Sequence, residues 1–296
     1  MSNLFSRSSL RADIVIAAIA CLLLVLVACG DDDSSFTPRD SEDSSSSICE
    51  DCEDSSSSAK SSSSRHCEDH RDEAISSGNF AGQKTAWEYL NPNIDYGEIV
   101  DDRDCQTYKT VKIGNQVWMA ENLNFETENS WCGGGRDSTE GDCSKYGRLY
   151  LWSAAVGKSE DECGYGKTCG LSGKVRGVCP DGWLLPDTTE WKTLFDAVGG
   201  KDIAGKMLKS QTGWDDSGEQ NFNGSDTYGF SALPAGLGGS IGRFGGADAF
   251  AFFWSAADSS SHHAYCVPLF YQYEYTDLFC ERKYTAYSVR CLMDDP

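Results

Sequence analysis

Past residue 29 the chain has no second long apolar run, and nowhere does it cluster lysine and arginine. The first absence removes further membrane-spanning helices, since each needs roughly 20 apolar residues to cross a hydrocarbon core of about 30 Å. The second argues against nucleic acid and anionic membrane surfaces as partners, because holding phosphates requires grouped cations. Lysine and arginine number 25 against 46 aspartate and glutamate, a formal net charge of -21 at pH 7. Two catalytic signatures are also missing: the sequence contains no G-x-x-x-x-G-K-[ST] phosphate loop and no H-E-x-x-H helix. Aromatic residues are sparse before Phe80 and frequent after it, starting with Trp87 and Tyr89.

What is present begins with the layout of an export signal. Arg7 and Arg11 form a positive flank, and an apolar stretch over residues 14–28 stops at Cys29. At a rise of ~1.5 Å per residue this stretch is too short to span a bilayer. Leu26, Val27, Ala28 and Cys29 resemble the bacterial lipobox, in which small residues admit the signal peptidase and the cysteine sulfur is acylated before cleavage. The resemblance implies a lipoprotein signal peptide over residues 1–28 and lipidation at Cys29; the alternative is an ordinary secretory signal cut near that cysteine. More than one acyl chain holds a soluble protein on a membrane, because each buried methylene contributes about 0.8 kcal/mol. Gly30 stands where aspartate would signal inner-membrane retention, and Asp31, Asp32 and Asp33 resemble the acidic tethers of surface lipoproteins. The expectation is an exported protein, lipid-anchored to the outer membrane or cell surface.

Residues 29–84 read as a solvated tether. Residues 30–78 carry fourteen acidic and four basic side chains, nearly half of the net charge, with serine runs at 44–47, 55–58 and 61–64. Such composition buries too little apolar surface to offset an ordering entropy of about 1–2 kcal/mol per residue. Within it Cys49, Cys52, Cys67 and His70 have zinc-like C-x2-C and C-x2-H spacing, but almost no apolar residues surround them to form a small core. Disulfides or unpaired thiols are the alternative there, and no metal or cofactor is expected.

The folded domain is expected over residues 85–296, and nine of the 14 cysteines lie between Cys105 and Cys291, as in an oxidising compartment. Residues 107–113 and 116–119 flank Gly114 and Asn115, the signal of a two-residue hairpin. Leu149, Trp152, Ala155 and Val156 have the spacing of one helical face, predicting a short helix within residues 146–156. Asp187 and Glu190 form a capping box before the stripe Trp191, Leu194, Phe195 and Val198, and Gly199 and Gly200 end that helix. Residues 250–255, 265–271 and 287–293 read as strands between Gly, Ser and Asp. Short helices early and antiparallel strands late predict an α+β domain. Cys132 with Cys143, and Cys163 with Cys169, close short Gly-rich intervals and are expected as local disulfides.

Five separated segments carry a resemblance. They are residues 104–124 (D-C-Q-T-Y-K-T-V-K-I-G-N-Q-V-W-M-A-E-N-L-N), 146–155 (Y-G-R-L-Y-L-W-S-A-A), 179–191 (C-P-D-G-W-L-L-P-D-T-T-E-W), 230–236 (F-S-A-L-P-A-G) and 288–292 (S-V-R-C-L), with Trp254 and Ser255 between the last two. Together they resemble the Fibrobacter succinogenes major paralogous domain, a family of exported bacterial proteins. That family is in turn similar to the C-type-lectin-like fold that includes formylglycine-generating enzymes, whose L-P-T-E-A-E-W is similar to residues 185–191. The lectin-like resemblance implies two disulfides, Cys179 with Cys291 and Cys266 with Cys280, leaving Cys105 to pair with a tether cysteine or another molecule.

An enzyme reading would place chemistry on Cys266 and Cys280, but fourteen residues separate them, unlike the closely spaced pair of the formylglycine-generating relatives. Asp187 and Glu190 are accounted for as a helix cap, so no catalytic residue is assigned. A binding reading rests on Tyr265, Tyr271, Tyr273, Tyr275, Tyr284 and Tyr287, since tyrosine can stack on a pyranose face; alternating strand aromatics are also core residues. The lectin calcium motifs E-P-N, Q-P-D and W-N-D are missing, leaving Asp258, Asp277 and Glu281 as oxygen ligands or solvated surface. His262 and His263 read as an exposed loop. The expectation is a non-catalytic recognition or structural domain engaging polysaccharide or envelope components, with Tyr265, Tyr271, Tyr273 and Tyr275 as ligand contacts; the alternative is an enzyme related to the formylglycine-generating group.

Overall fold

The computed structural model describes Cys67 and residues 84–215, 221–239 and 242–294. The chain divides into two compact units, Met1–Asp69 and His70–Pro296. Of the first, only Cys67 is described: it is helical, buried and disulfide-bonded. The signal peptide, Cys29, Cys49, Cys52 and His70 lie outside the described residues.

The second unit is α+β, and its strands pair almost entirely antiparallel. After a 3-10 turn at Thr85–Tyr89 come β1 (Gly97–Asp101), β2 (Gln106–Ile113) and β3 (Gln116–Met119). The β2–β3 hairpin closes where the sequence predicts, with Ile113 opposite Gln116. Gly114 takes φ 60°, which type I′ and II′ turns require at their first central residue. These strands join β13 (Leu292–Met293) and β6 (Trp183–Leu184) in a five-stranded sheet, ordered β1-β2-β3-β13-β6.

The larger sheet has eight strands. Its main path runs β11 (Phe279–Arg282), β10 (His263–Phe270), β9 (Phe250–Asp258), β12 (Thr285–Ser288), β5 (Arg148–Leu151) and β4 (Ser130–Cys132). β7 (Ala235–Gly239) pairs with β12 and with β8 (Gly245–Ala247). The segment read as one strand over 287–293 is thus divided between the sheets, and Val289, Arg290 and Cys291 make the crossing fully buried.

Helices α1 (Cys143–Tyr146), α2 (Trp152–Ala155) and α3 (Glu160–Cys163) are single turns. The predicted helix within residues 146–156 is therefore corrected: only its second half is helical, and residues 148–151 form β5. Gly147 takes φ 67° and breaks the pattern, and Leu149, Tyr150 and Leu151 are all buried. A strand buried on both faces shows no alternation from which its period can be read.

The two longer helices are α4 (Thr188–Ala197) and α5 (Lys201–Leu208). Asp187 accepts from Thr189 N and Glu190 N while Glu190 Oε2 accepts from Asp187 N, the reciprocal cap expected. Trp191 then reaches both sheets, with ring centroids 4.9 Å from Trp118 on β3 and 5.9 Å from Phe253 on β9. This aromatic contact anchors the core between the sheets.

Disulfides join Cys132 to Cys143, Cys163 to Cys169 and Cys179 to Cys291. Cys105 is disulfide-bonded as well. The implied bond between Cys266 and Cys280 is not formed; Cys266 is a buried free thiol. The strand register supplies the reason. Cys266 lies opposite Phe279 and Cys280 opposite Tyr265. Directly opposed residues share a face of a sheet and consecutive ones do not, so the two sulfurs leave the β10–β11 ribbon on opposite sides.

Candidate functional site

The segment after β10 carries Tyr271, Tyr273 and Tyr275, three of the tyrosines singled out in the sequence, and α5 determines its path. Gly205 is the decisive residue: a Cβ there would come within 2.7 Å of Tyr275 O and 2.8 Å of Glu274 O, so only glycine lets the loop lie on the helix. Lys206 N donates to Glu274 O at 2.9 Å, and Thr276 N to Lys201 O at 2.9 Å. Thr276 Oγ1 donates to Pro268 O at 2.6 Å. At the centre sits Lys209, 3% exposed, whose Nζ reaches the carbonyl oxygens of Phe222, Phe270, Tyr271 and Tyr273 at 2.9–3.2 Å. Burial pulls this ammonium down to about 8. One buried cation thereby ties the turn after β10 to the segment holding Phe222.

On this support Tyr273 and Tyr275 lie side by side, ring centroids 5.1 Å apart at 31°, with Tyr275 39% exposed. Gln272 and Glu274 are exposed beside them. The other two expected contacts do not join the pair. The Tyr271 ring meets Phe222 edge-on at 4.9 Å, and Tyr265 is half-buried within β10. The tyrosines thus form one two-ring ledge and not a row of four.

A second exposed aromatic group sits at the other end of β10. Tyr165 is 46% exposed, its ring centroid 4.7 Å from His262 and 4.9 Å from Tyr284. Tyr165 escapes a reading based on late tyrosines because it lies a hundred residues earlier. Its only sequence signal is the flanking Gly164 and Gly166 inside the Cys163–Cys169 loop.

The oxygen ligands considered for calcium are separated and engaged. Asp258 pairs with the buried Lys283 at 3.0 Å and Asp277 with Lys201 at 2.7 Å. Glu281 is half-buried, its carboxyl pushed up chiefly by desolvation. Among the described residues no group of His, Cys, Asp and Glu is arranged to hold a metal ion. A shallow groove of about 560 Å³ lies beside Trp87, Leu90, Asn91, Tyr96 and Lys109. Its largest ring is already committed, since Lys109 Nζ covers Trp87 at 4.7 Å and Trp87 Nε1 donates to Glu121.

The resemblance drawn from five motifs has an independent counterpart. The family profile of the Fibrobacter succinogenes major domain matches residues 111–293, from within β2 to the end of β13. The chain belongs to this family. No curated protein and no solved structure matches it. The family's motifs now have physical roles in this Fibrobacter succinogenes major domain. F-S-A-L-P-A-G and S-V-R-C-L meet through Arg290, which donates to Phe230 O and, at 3.2 Å, to Ser231 O. Y-G-R-L-Y-L-W-S-A-A supplies β5 of the large sheet, where Trp254 Nε1 donates to Tyr150 O at 2.8 Å. Its tyrosine ledge lies inside the matched region. Among the described residues no helix is long and apolar enough to cross a membrane.

Proposed function

We propose that this protein is an exported, lipid-anchored component of the outer membrane or cell surface whose domain binds polysaccharide without catalysis. The observation that carries the reading is the Tyr273–Tyr275 ledge: two neighbouring rings, one of them among the most exposed apolar side chains described, on a backbone fixed by Lys209 and Gly205. Aromatic faces stack on the apolar face of a pyranose, and a surface ordered before binding loses little entropy when the ligand arrives. Disulfides of this kind form in oxidising compartments, which supports export. The lipobox-like Leu26–Cys29 segment supports the anchor. The lectin-like resemblance, compatible with the observed α+β architecture, supports recognition as the task.

The test is retention of the full chain on insoluble cellulose, xylan and peptidoglycan. Wild type is expected to bind at least one, and Y273A/Y275A to bind about tenfold or more weakly, each stacked ring contributing on the order of 1 kcal/mol. Equal retention of both proteins, or none of wild type, rejects the ledge as a polysaccharide site.

Cys266 favours a second reading, because a relative of the formylglycine-generating enzymes requires reduced cysteine. The chemistry of this sulfur weighs against it. Cys266 is fully buried, and desolvation raises its thiol well above the usual range, whereas a nucleophilic cysteine is partly exposed with a lowered pKa. Native protein at neutral pH is expected to leave Cys266 unlabelled by a thiol reagent over an hour, and unfolded protein to label fully. Rapid labelling of the native protein at Cys266 would revive the enzyme reading.

A further inference from the structure

Three separate loops meet around Tyr165, and the backbone locks them together. Gly166 N donates to Ser261 O at 2.9 Å, and Lys283 N donates to His262 O at 3.0 Å. The side chain of Lys283 completes the junction: fully buried, it donates from Nζ to Lys167 O and to Asp258 Oδ2, both at 3.0 Å, and lies 4.3 Å from the Trp152 ring centre. The Cys163–Cys169 disulfide closes the first loop on itself. The exposed face of this junction holds the rings of Tyr165, Tyr284 and His262 with the guanidinium of Arg282, whose Nη1 donates to Tyr284 Oη at 2.5 Å.

Arg282 is the exposed cation of this face, and it forms no ion pair with a carboxylate within 4.0 Å among the described residues. His263, in the same loop, is held below the usual histidine range by desolvation, and the charges of Arg282 and Lys283 act in the same direction. Asp258 is spent on Lys283, and burial raises the Glu281 carboxyl above the usual range. The exposed guanidinium of Arg282 selects an anion. The adjoining rings select one with an apolar face.

We propose that Tyr165, Tyr284, His262 and Arg282 form a separate subsite for an acidic sugar, a uronate unit within a polysaccharide. The Tyr165 and Tyr284 rings stack against the pyranose, and Arg282 takes the carboxylate through charge-assisted hydrogen bonds. The eight residues of β10 separate this junction from the Tyr273–Tyr275 ledge, about 23 Å at ~3.3 Å per residue. The two sites therefore stand or fall independently.

The probe is polygalacturonate immobilised on a resin, with its methyl-esterified form as the neutral control on the same backbone. The full chain is expected to be retained by polygalacturonate and about tenfold more weakly by the ester, consistent with one lost charge-assisted contact. Tyr165→Ala and Arg282→Gln, both at exposed positions, are each expected to weaken retention at least about fivefold, while Y273A/Y275A leaves it unchanged. Absence of retention on polygalacturonate, equal retention on the ester, or full retention of either the Tyr165 or the Arg282 variant overturns the proposal.

Discussion

Replacing Cys179 and Cys291 together by alanine is expected to cost the domain about 4–5 kcal/mol of stability, more than the loss of either short disulfide. The bond closes a span of 112 residues, against 11 for Cys132–Cys143 and 6 for Cys163–Cys169. In the chain-entropy account the constraint on the unfolded state grows with the logarithm of the loop, so C163A/C169A should cost about 2 kcal/mol. The folded state adds to the difference. Cys179 and Cys291 are fully buried in one hydrophobic cluster, and the residues just beyond them pair, Leu292 with Leu184 and Met293 with Trp183. The bond therefore fixes the inner edge of the five-stranded sheet. Denaturant unfolding of the two double variants measures the ordering; equal losses would show that loop length does not govern the effect. Against a total of roughly 5–15 kcal/mol for a domain, the larger loss leaves the protein near its folding threshold.

Local features were readable in the sequence wherever one residue's chemistry specifies one conformation. Asp187 with Glu190 allowed a single interpretation, and Gly114 with Asn115 placed the hairpin to the residue. The short Gly-rich intervals gave Cys132–Cys143 and Cys163–Cys169, because residues so close along the chain have little choice of partner. Reading failed where the deciding fact was a neighbour distant in the chain. Residues 148–151 became a strand because β4 and β12 flank them, and nothing within the segment records that. The bond expected between Cys266 and Cys280 failed on strand register, which puts two nearby sulfurs on opposite faces.

The functional surface was half legible for the same reason. Tyr273 and Tyr275 are two apart in the sequence, and their contact follows from a loop that turns there. Tyr165 meets His262 and Tyr284 only because three loops converge. The buried cations were the least visible. Lys209, Lys283 and Arg290 are ordinary surface residues by type, yet here each is nearly solvent-free and satisfied by carbonyl oxygens of other segments. Each has become an internal strut, and two of them lie directly beneath the exposed aromatic groups.

Arg290→Met is expected to destabilise the domain by about 3–5 kcal/mol, the range for removing one partner from a buried charged network. Arg290 is 1% exposed on the crossing between the two sheets, and burial pushes its guanidinium down to about 9. It donates to Asn122 Oδ1 at 2.8 Å, to Met119 O at 3.3 Å, to Ser231 O at 3.2 Å and to Phe230 O. Those contacts hold a turn in which Asp226 and Ser231 take φ 47° and 51°, a backbone region costing on the order of 1 kcal/mol or more for non-glycine residues. Arg290→Lys should recover only part of the loss, because an ammonium cannot present the planar fork that reaches four acceptors. The pH dependence separates this role from simple packing. Desolvation raises the Asp226 carboxyl to about 7, and Arg290 is the charge that restrains the rise. A carboxyl whose folded pKa lies above its unfolded value of about 3.9 binds more protons when folded, so it weakens the fold as pH rises through that window. Without Arg290 the folded value climbs further and the window widens upward. The deficit of the methionine variant should therefore be smallest near pH 5 and grow toward about pH 8. A deficit independent of pH would assign Arg290 to packing alone and leave the strained turn to be held by the Asp226–Ser231 hydrogen bonds.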